Sequence, residues 1–203
     1  MNLLSSITPD NMGPFEWYNP PTSWEPLPEG GIRVHVPGKV DYFRDPGNEQ
    51  ARYDTAPYLW MPVQGDFVAR LRVRPHFEST YDAGCLMARH DETLWAKLCY
   101  EQTDFGTQAV VSVVTNDISD DANGVDLNAP EVWLQIVRAG DCFGLHYSTD
   151  GESWRMVRYF ALPMPAEIKV GMVPQCPTGS SSVIDLLEFT LEQRTVQNIR
   201  AGV

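Results

Sequence analysis

The sequence lacks the long apolar run of about 20 residues that a membrane-spanning helix requires, and positive charge is scarce. Lysine and arginine number 15 against 27 aspartates and glutamates, so the formal net charge is -12. Nucleic-acid binding needs clustered Lys and Arg, and anionic membranes attract polybasic segments, so this charge argues against both partners. The N-terminal stretch Met1–Met12 lacks the basic and apolar regions of a secretory signal. We therefore expect a cytoplasmic protein.

Metal-binding patterns are also missing. The four cysteines show no CxxC spacing, so the sequence predicts no metal site of the zinc-ribbon kind and no cofactor. The acidic stretch from Asn116 to Asp126 offers the oxygen ligands that Ca²⁺ prefers, but its spacing does not fit an EF-hand loop. We interpret this stretch as a solvated loop.

Composition and the spacing of turn-forming residues predict a single all-β domain. With 203 residues, 43% of them apolar, the chain can bury a sizeable core, and β-sandwiches of this length are often one domain. Residues 1–29 are rich in proline and aromatic side chains, and prolines this dense exclude a regular strand or helix. We expect an extended arm packed on a main domain that spans residues 30–203. In that domain short alternating segments, such as Asp66–Arg74, are separated by turn-forming residues.

A first hairpin is predicted over Gly84–Glu101, with its turn at Asp91–Thr93. Its register follows from the apolar residues, because a slip by one residue would move them to the wrong face. The inner row then holds leucine and alanine pairs. The outer row pairs Arg89 with Trp95, Met87 with Lys97 and Cys85 with Cys99. Opposed cysteines approach disulfide geometry, but we expect reduced thiols in a cytosolic protein.

A second hairpin is predicted over Val132–Ser148, with a two-residue turn at Gly140–Asp141. This turn places Ile136 opposite Leu145 and Leu134 opposite Tyr147. A slip by one residue would break both apolar pairs, so the two-residue turn is preferred. The outer row then pairs Gln135 with His146 and Trp133 with Ser148.

Several segments resemble motifs of one known family. They are Tyr81–Met87, Trp95–Glu101, Val111–Thr115, Val132–Leu134, Leu145–Gly151, Lys169–Gly171 and Pro177–Gly179. Together they resemble the concanavalin A-like domain family of unknown function that has a yeast relative described as a regulator of enolase. The resemblance covers roughly residues 30–192. It implies a jelly-roll β-sandwich of two antiparallel sheets, with a concave sheet face of the kind that related lectins and glucanases use for sugars. It implies no settled activity.

An enzyme is the weaker hypothesis. Glucanases of this fold place carboxylates on alternate residues of one strand, and the distance between two carboxyl groups sets their chemistry. No such alternation occurs here, because Glu101 and Asp104 are three apart and Asp185 and Glu188 are expected on opposite faces of a strand. Carboxylates from different strands could still meet. His146 has no Gly-x-Ser-x-Gly partner, so we favour a non-catalytic protein.

The outer rows of the two hairpins form the predicted binding face, provided that both hairpins lie in the same sheet. The residues are Arg89, Trp95, Lys97, Glu101, Trp133, Gln135 and His146. In this hypothesis the arginine and lysine contact anionic or hydroxyl groups, the tryptophans stack on a ring, and the other three orient the ligand. Three alternatives stay open. Trp95 could only stack under Arg89, Lys97 and Glu101 could be an ordinary exposed pair, and the arm could cover the face.

The leading functional hypothesis is therefore a binding domain for a carbohydrate or a ligand of sugar-phosphate size on the concave face. The alternative is a protein–protein interaction or regulatory module of carbon metabolism, with a metabolic enzyme as its partner. A glycoside hydrolase is the third hypothesis. The sequence specifies neither the ligand nor the oligomeric state.

Overall fold

The computed structural model describes all 203 residues and contains sixteen strands and no helix. In chain order the strands are β1 (Glu16–Tyr18), β2 (Ser23–Pro26), β3 (Ile32–Pro37), β4 (Tyr42–Arg44), β5 (Arg52–Asp54), β6 (Tyr58–Gln64), β7 (Phe67–His76), β8 (Ala83–Arg89), β9 (Leu94–Gln102), β10 (Gln108–Asn116), β11 (Ile118–Asp126), β12 (Val132–Ala139), β13 (Cys142–Ser148), β14 (Arg155–Ala161), β15 (Glu167–Gln175) and β16 (Ser181–Glu192). No helix of the protein could cross a membrane.

The strands form two large antiparallel sheets and one small one. The first sheet has the order β1-β6-β15-β8-β9-β10-β11, and the second has the order β14-β13-β12-β7-β16-β3-β2. Strands β4 and β5 pair only with each other. The predicted all-β, jelly-roll sandwich of the concanavalin A-like kind is confirmed.

Alternating side chains account for the main core between the sheets. In β7 the four inward residues Phe67, Ala69, Leu71 and Val73 are fully buried, and the alternating arginines Arg70, Arg72 and Arg74 lie on the outer face. Residues of both hairpins, such as Leu86 of the first, and other apolar side chains of the two sheets complete this core. Burial of this apolar area is the main force that holds the sheets together.

Both predicted hairpin registers are confirmed. Arg89 pairs with Trp95 and Cys85 with Cys99 in β8–β9. Gln135 pairs with His146 in β12–β13, where Gly140 has the positive φ that the tight turn requires. Local alternation and turn chemistry were sufficient to define both pairs of strands.

The proline-rich arm is not free of strands, so that expectation is wrong over two short stretches. Strand β1 pairs with β6 at the edge of the first sheet, and β2 pairs with β3 at the edge of the second. An edge strand can include proline because one side of its backbone needs no hydrogen-bond partner. Leu4, Ile7 and Phe15 of the arm are buried in the main core.

The acidic stretch is likewise a strand and not a loop. Strand β11 pairs with β10 along its length, and this pairing outweighs the low strand propensity of its Asp, Asn and Gly residues. A bulge lies at Val110, where a Cβ on Gly124 would come within 2.6 Å of the Val110 carbonyl oxygen. The exposed carboxylates of this edge strand oppose pairing with another chain.

A second bulge overturns the expected positions of two carboxylates. Asp185 pairs with Arg74 and Glu188 pairs with Arg72, with the extra residue Leu187 between them in β16. The bulge adds one residue, so both acidic side chains lie on the outer face of the second sheet and not on opposite faces.

Asp185 anchors the cations of that outer face. Its side chain is fully buried and accepts hydrogen bonds from Arg33 at 2.7 Å and from Arg74 at 3.2 Å, and it lies 3.0 Å from His76 Nε2. Burial alone would raise the pKa of Asp185, but the hydrogen bonds from Arg33 and His76 outweigh it and lower the pKa.

We expect Asp185→Ala to lower the free energy of unfolding by about 2 kcal/mol at pH 7, because it leaves Arg33 without its acceptor and removes one of the three carboxylates that pair with Arg74. The pKa of Asp185 is lower in the folded state, so its contribution is present above the unfolded-state value of about 4 and is lost as pH falls below it. Urea unfolding at pH 7 and pH 3 measures this. Asp10→Asn, at an exposed position, is the control, and a difference that does not shrink at pH 3 would contradict the assignment.

Candidate functional site

A segment outside the sandwich covers much of the outer face of the first sheet. After β3 the chain crosses this face through β4 and β5 and then enters β6. Tyr42 of β4 is fully buried and makes edge-to-face contacts with Tyr58 and Trp95, at centroid distances of 6.2 Å in both cases. Twelve buried residues form this second core. The first sheet is therefore buried on both faces wherever the covering segment, residues 38–57, lies on it.

A cleft of about 480 Å³ opens where this cover ends. Its base is formed by polar side chains of the two strands on either side of β8: Lys97 and Glu101 of β9 and Gln175 of β15. The lining residues are Lys39, Asp41, Phe43, Asp45, Tyr53, Tyr81, Lys97, Glu101, Val113, Asp121, Gln175, Pro177 and Thr178.

Lys97 links the sheet to its cover. The side chain is almost completely buried, and Nζ donates to Gln175 Oε1 at 2.8 Å and to Asp41 Oδ1 at 3.1 Å. Burial opposes its positive charge, but Asp41 and nearby acidic groups outweigh that effect and raise the pKa of Lys97. Lys97 is therefore a permanent cation that fixes Asp41 and Gln175 at the cleft.

Glu101 lies four residues further along the same face, and its environment is different. The residue is 8% exposed, and its carboxylate has no hydrogen-bond partner in the protein. Burial raises the pKa of Glu101 to about 8, although the charge of Lys97 opposes the shift. Desolvation also raises the pKa of Asp121 on the opposite wall. The cleft therefore presents a carboxyl group that is largely protonated at neutral pH and can donate a hydrogen bond.

Two residues of the cleft have unusual backbone conformations. Tyr81 has φ of +69° and Lys39 has φ of +63°. A positive φ costs energy for a bulky residue, and such residues cluster at functional sites. Two hydrogen bonds hold the Tyr81 conformation. Its backbone N–H donates to the Gln102 carbonyl, and its own carbonyl accepts from Gln175 Nε2. Tyr81 is 37% exposed and Tyr53 is 46% exposed, so both rings can contact a ligand.

The seven residues of the predicted face do not come together, because the two hairpins lie in different sheets. Lys97 and Glu101 line the cleft of the first sheet. Trp95 lies beneath the cover in contact with Tyr42, and Arg89 is buried between Tyr42 and Tyr18 of the arm. The expectation of an exposed Lys97–Glu101 pair is wrong, because both residues are buried and Lys97 bonds to Asp41.

The other three residues belong to the outer face of the second sheet. Gln135 and His146 are fully buried beneath the C-terminal residues: Gln135 contacts the Gly202 carbonyl and His146 contacts the Arg200 carbonyl. Burial lowers the pKa of His146. Trp133 stacks with Arg72 at 4.8 Å. These contacts give the three side chains structural partners far from the cleft of the first sheet.

Sequence reasoning missed most of the residues around the cleft. Asp41, Phe43 and Tyr53 come from the covering segment, whose position depends on tertiary packing and has no local signature. Gln175 had a usable signal. It continues the outward alternation of Lys169, Gly171 and Val173 in β15 and so falls on the same face as Glu101.

Residues 17–194 match the family described as "Protein of unknown function (DUF1349)". The chain belongs to this family. It is 28% identical over 177 residues to "Regulation of enolase protein 1" of Saccharomyces cerevisiae, covering 86% of this chain and 87% of the yeast protein. The crystal structure of a functionally unknown protein from Saccharomyces cerevisiae is 26% identical, with a TM-score of 0.84 over 91% of this chain and 99% of that one.

More distant structures share the fold. A GH43 protein from Bacillus licheniformis has a TM-score of 0.70 at 14% identity, and the match covers 95% of this chain but only 39% of that one. Carbohydrate binding module CBM66 from Bacillus subtilis has a TM-score of 0.57 at 14% identity, covering 90% of this chain and 98% of the module. At these identities the likeness extends to the fold alone.

We expect Glu101→Gln to stabilise the protein more at pH 8 than at pH 4.5. The difference in the free energy of unfolding between the variant and the wild type should be larger at pH 8 by on the order of 2 kcal/mol. The folded-state pKa is raised, so the wild-type carboxyl group is neutral in both states at low pH. The wild-type protein loses stability as pH rises from about 4, the pKa of Glu101 in the unfolded state, to about 8, its pKa in the folded state. Urea unfolding across this range measures the change, with exposed Glu92→Gln as the control. A pH-independent difference would contradict the buried-carboxyl assignment.

Proposed function

We propose that this protein is a non-catalytic binding domain whose cleft above Lys97 and Glu101 takes a neutral, carbohydrate-sized ligand. The observation that carries the proposal is Glu101, a carboxyl group more than nine-tenths buried that borders an open cleft and has no partner in the protein. A buried polar group without a partner costs free energy. A ligand hydroxyl would satisfy it.

The walls of the cleft suit a sugar ring. The aromatic side chains Phe43, Tyr53 and Tyr81 offer apolar faces, and Gln175 and the carboxyl groups offer planar hydrogen-bonding groups. An apolar wall with a few convergent polar groups is the usual composition of a small-molecule site. The strained backbone at Tyr81 adds support, since it holds a partly exposed ring at the opening.

Charge favours a neutral sugar over a sugar phosphate in this cleft. With Glu101 largely neutral, three aspartates line it, Asp41, Asp45 and Asp121, against two lysines. The ammonium of Lys97 is already occupied by Asp41 and Gln175, and that of Lys39 donates to the Thr178 carbonyl. An added phosphate would meet a net negative field.

Tyr53→Ala tests the sugar proposal, with Tyr159→Ala as the matched control. Both tyrosines are nearly half exposed, but Tyr159 lies on the second sheet. We expect a glycan screen to identify a ligand for the wild type and titration calorimetry to show an affinity at least about tenfold weaker for Tyr53→Ala, because a ring face is lost. The control should bind normally. Equal affinity in the two variants, or no glycan bound at all, would count against the cleft as a sugar site.

A regulatory module that binds a metabolic enzyme is the second proposal. Its support is the name of the yeast relative, "Regulation of enolase protein 1". If it is correct, sedimentation velocity of the protein mixed with purified yeast enolase should show a new, faster species, and Tyr53→Ala should leave that species unchanged if a different surface binds the enzyme. Independent sedimentation of the two proteins at micromolar concentrations would reject this proposal.

A further inference from the structure

Arg89 is a buried cation without an acceptor. It ends β8 on the outer face of the first sheet and is only 6% exposed. The guanidinium forms no ion pair, and its Nε is sealed from solvent with no hydrogen-bond partner. A buried unpaired charge is expensive, so arginines in such positions normally have a carboxylate or another anion beside them.

The aromatic neighbours of Arg89 do not replace an acceptor. The guanidinium carbon lies 5.0 Å from the Tyr18 ring centroid and 5.8 Å from that of Tyr42. Ring faces attract positive charge but are much poorer acceptors than oxygen lone pairs for the five N–H groups of an arginine. The Tyr42 hydroxyl is also buried without a partner. Two neighbouring side chains therefore both have an unused hydrogen-bonding group.

A second unpaired cation lies directly opposite. Lys169 of β15 pairs with Arg89 in the sheet, so their side chains project from the same face about 5 Å apart at Cβ. The ammonium lies 5.2 Å from the Trp60 ring centroid and forms no ion pair. Glu16, opposite Trp60, and Glu167, two residues before Lys169, lie on the same face, and neither forms an ion pair with either cation. Like charges at directly opposed positions repel, and an anion between them would reverse that cost.

We propose that Arg89 and Lys169 bind a phosphate group. The planar guanidinium suits bidentate contact with two phosphate oxygens. A phosphate monoester carries a charge of nearly -2 at pH 7 and so balances both cations, whereas a carboxylate balances one. Lys169 is half-buried and Tyr18 is 40% exposed, so this place borders the protein surface.

This site is separate from the cleft above Lys97. Neither Arg89 nor Lys169 is among the residues that line that cleft. The phosphate site therefore does not depend on the proposed sugar site. Either one can be present without the other.

Thermal unfolding with inorganic phosphate tests the site, against sodium chloride at the same ionic strength. We expect saturating phosphate to raise the Tm of the wild type by about 5 °C, since a ligand that binds only the folded state stabilises it. Arg89→Met should lose this shift and should be at least as stable as the wild type without phosphate. Exposed Arg155→Met is the matched control and should keep the shift.

Calorimetry with inorganic phosphate, glucose 6-phosphate and glucose identifies the group that is recognised. Comparable binding of both phosphates shows that the phosphate group suffices, and binding of glucose 6-phosphate alone shows that the site needs a phosphorylated metabolite. Lys169→Met should weaken binding about tenfold, and Tyr53→Ala should not change it. If Arg89→Met does not fold, Arg89→Lys takes its place and should bind at least about tenfold more weakly, because it loses the bidentate fork. The proposal is overturned if neither inorganic phosphate nor glucose 6-phosphate binds the wild type, or if the Arg89 variant binds them as tightly as the wild type does.

Discussion

Burial of the first sheet on both of its faces is the constraint on which the functional surfaces of this protein depend. One face packs in the main core, and the other packs against the covering segment through Tyr42, Tyr58 and Trp95. The cover turns most of that outer face into a second core and leaves accessible only the places where it ends. Both proposed sites lie beside it: Asp41 of the cover lines the cleft, and Tyr42 of the cover contacts Arg89.

Charged side chains are distributed according to this cover. Lys97 is buried beneath its edge and is neutralised by Asp41, which the cover itself provides. The cover provides no such partner to Glu101 or Arg89, and neither residue forms an ion pair elsewhere in the protein. On the second sheet the arginine row is paired throughout with acidic residues such as Asp185 and Glu131. The two buried charged residues without a partner in the protein, Arg89 and Glu101, both lie on the first sheet.

The sequence was most informative where structure depends on near neighbours. The two hairpins were registered correctly because alternating apolar residues and turn residues act over a few positions. It was least informative where long-range pairing outweighs local preference. Strand β11 forms despite its Asp, Asn and Gly residues, and the bulge at Leu187 moves Glu188 to the face of Asp185. Two of the seven predicted site residues, Lys97 and Glu101, line the cleft.

The sequence by itself determined the all-β class, the two hairpins and their inner and outer rows, because side-chain alternation is a property of a single strand, and the family resemblance added the sandwich. Only the tertiary structure decided that the hairpins belong to different sheets, since nothing in a hairpin specifies which strand it will pair with next. The same holds for accessibility. Trp95 and Glu101 are in the same outer row, but Trp95 packs under the covering segment and Glu101 borders the cleft. The physical reason is that burial is set by segments distant in sequence, whose docking depends on the whole core.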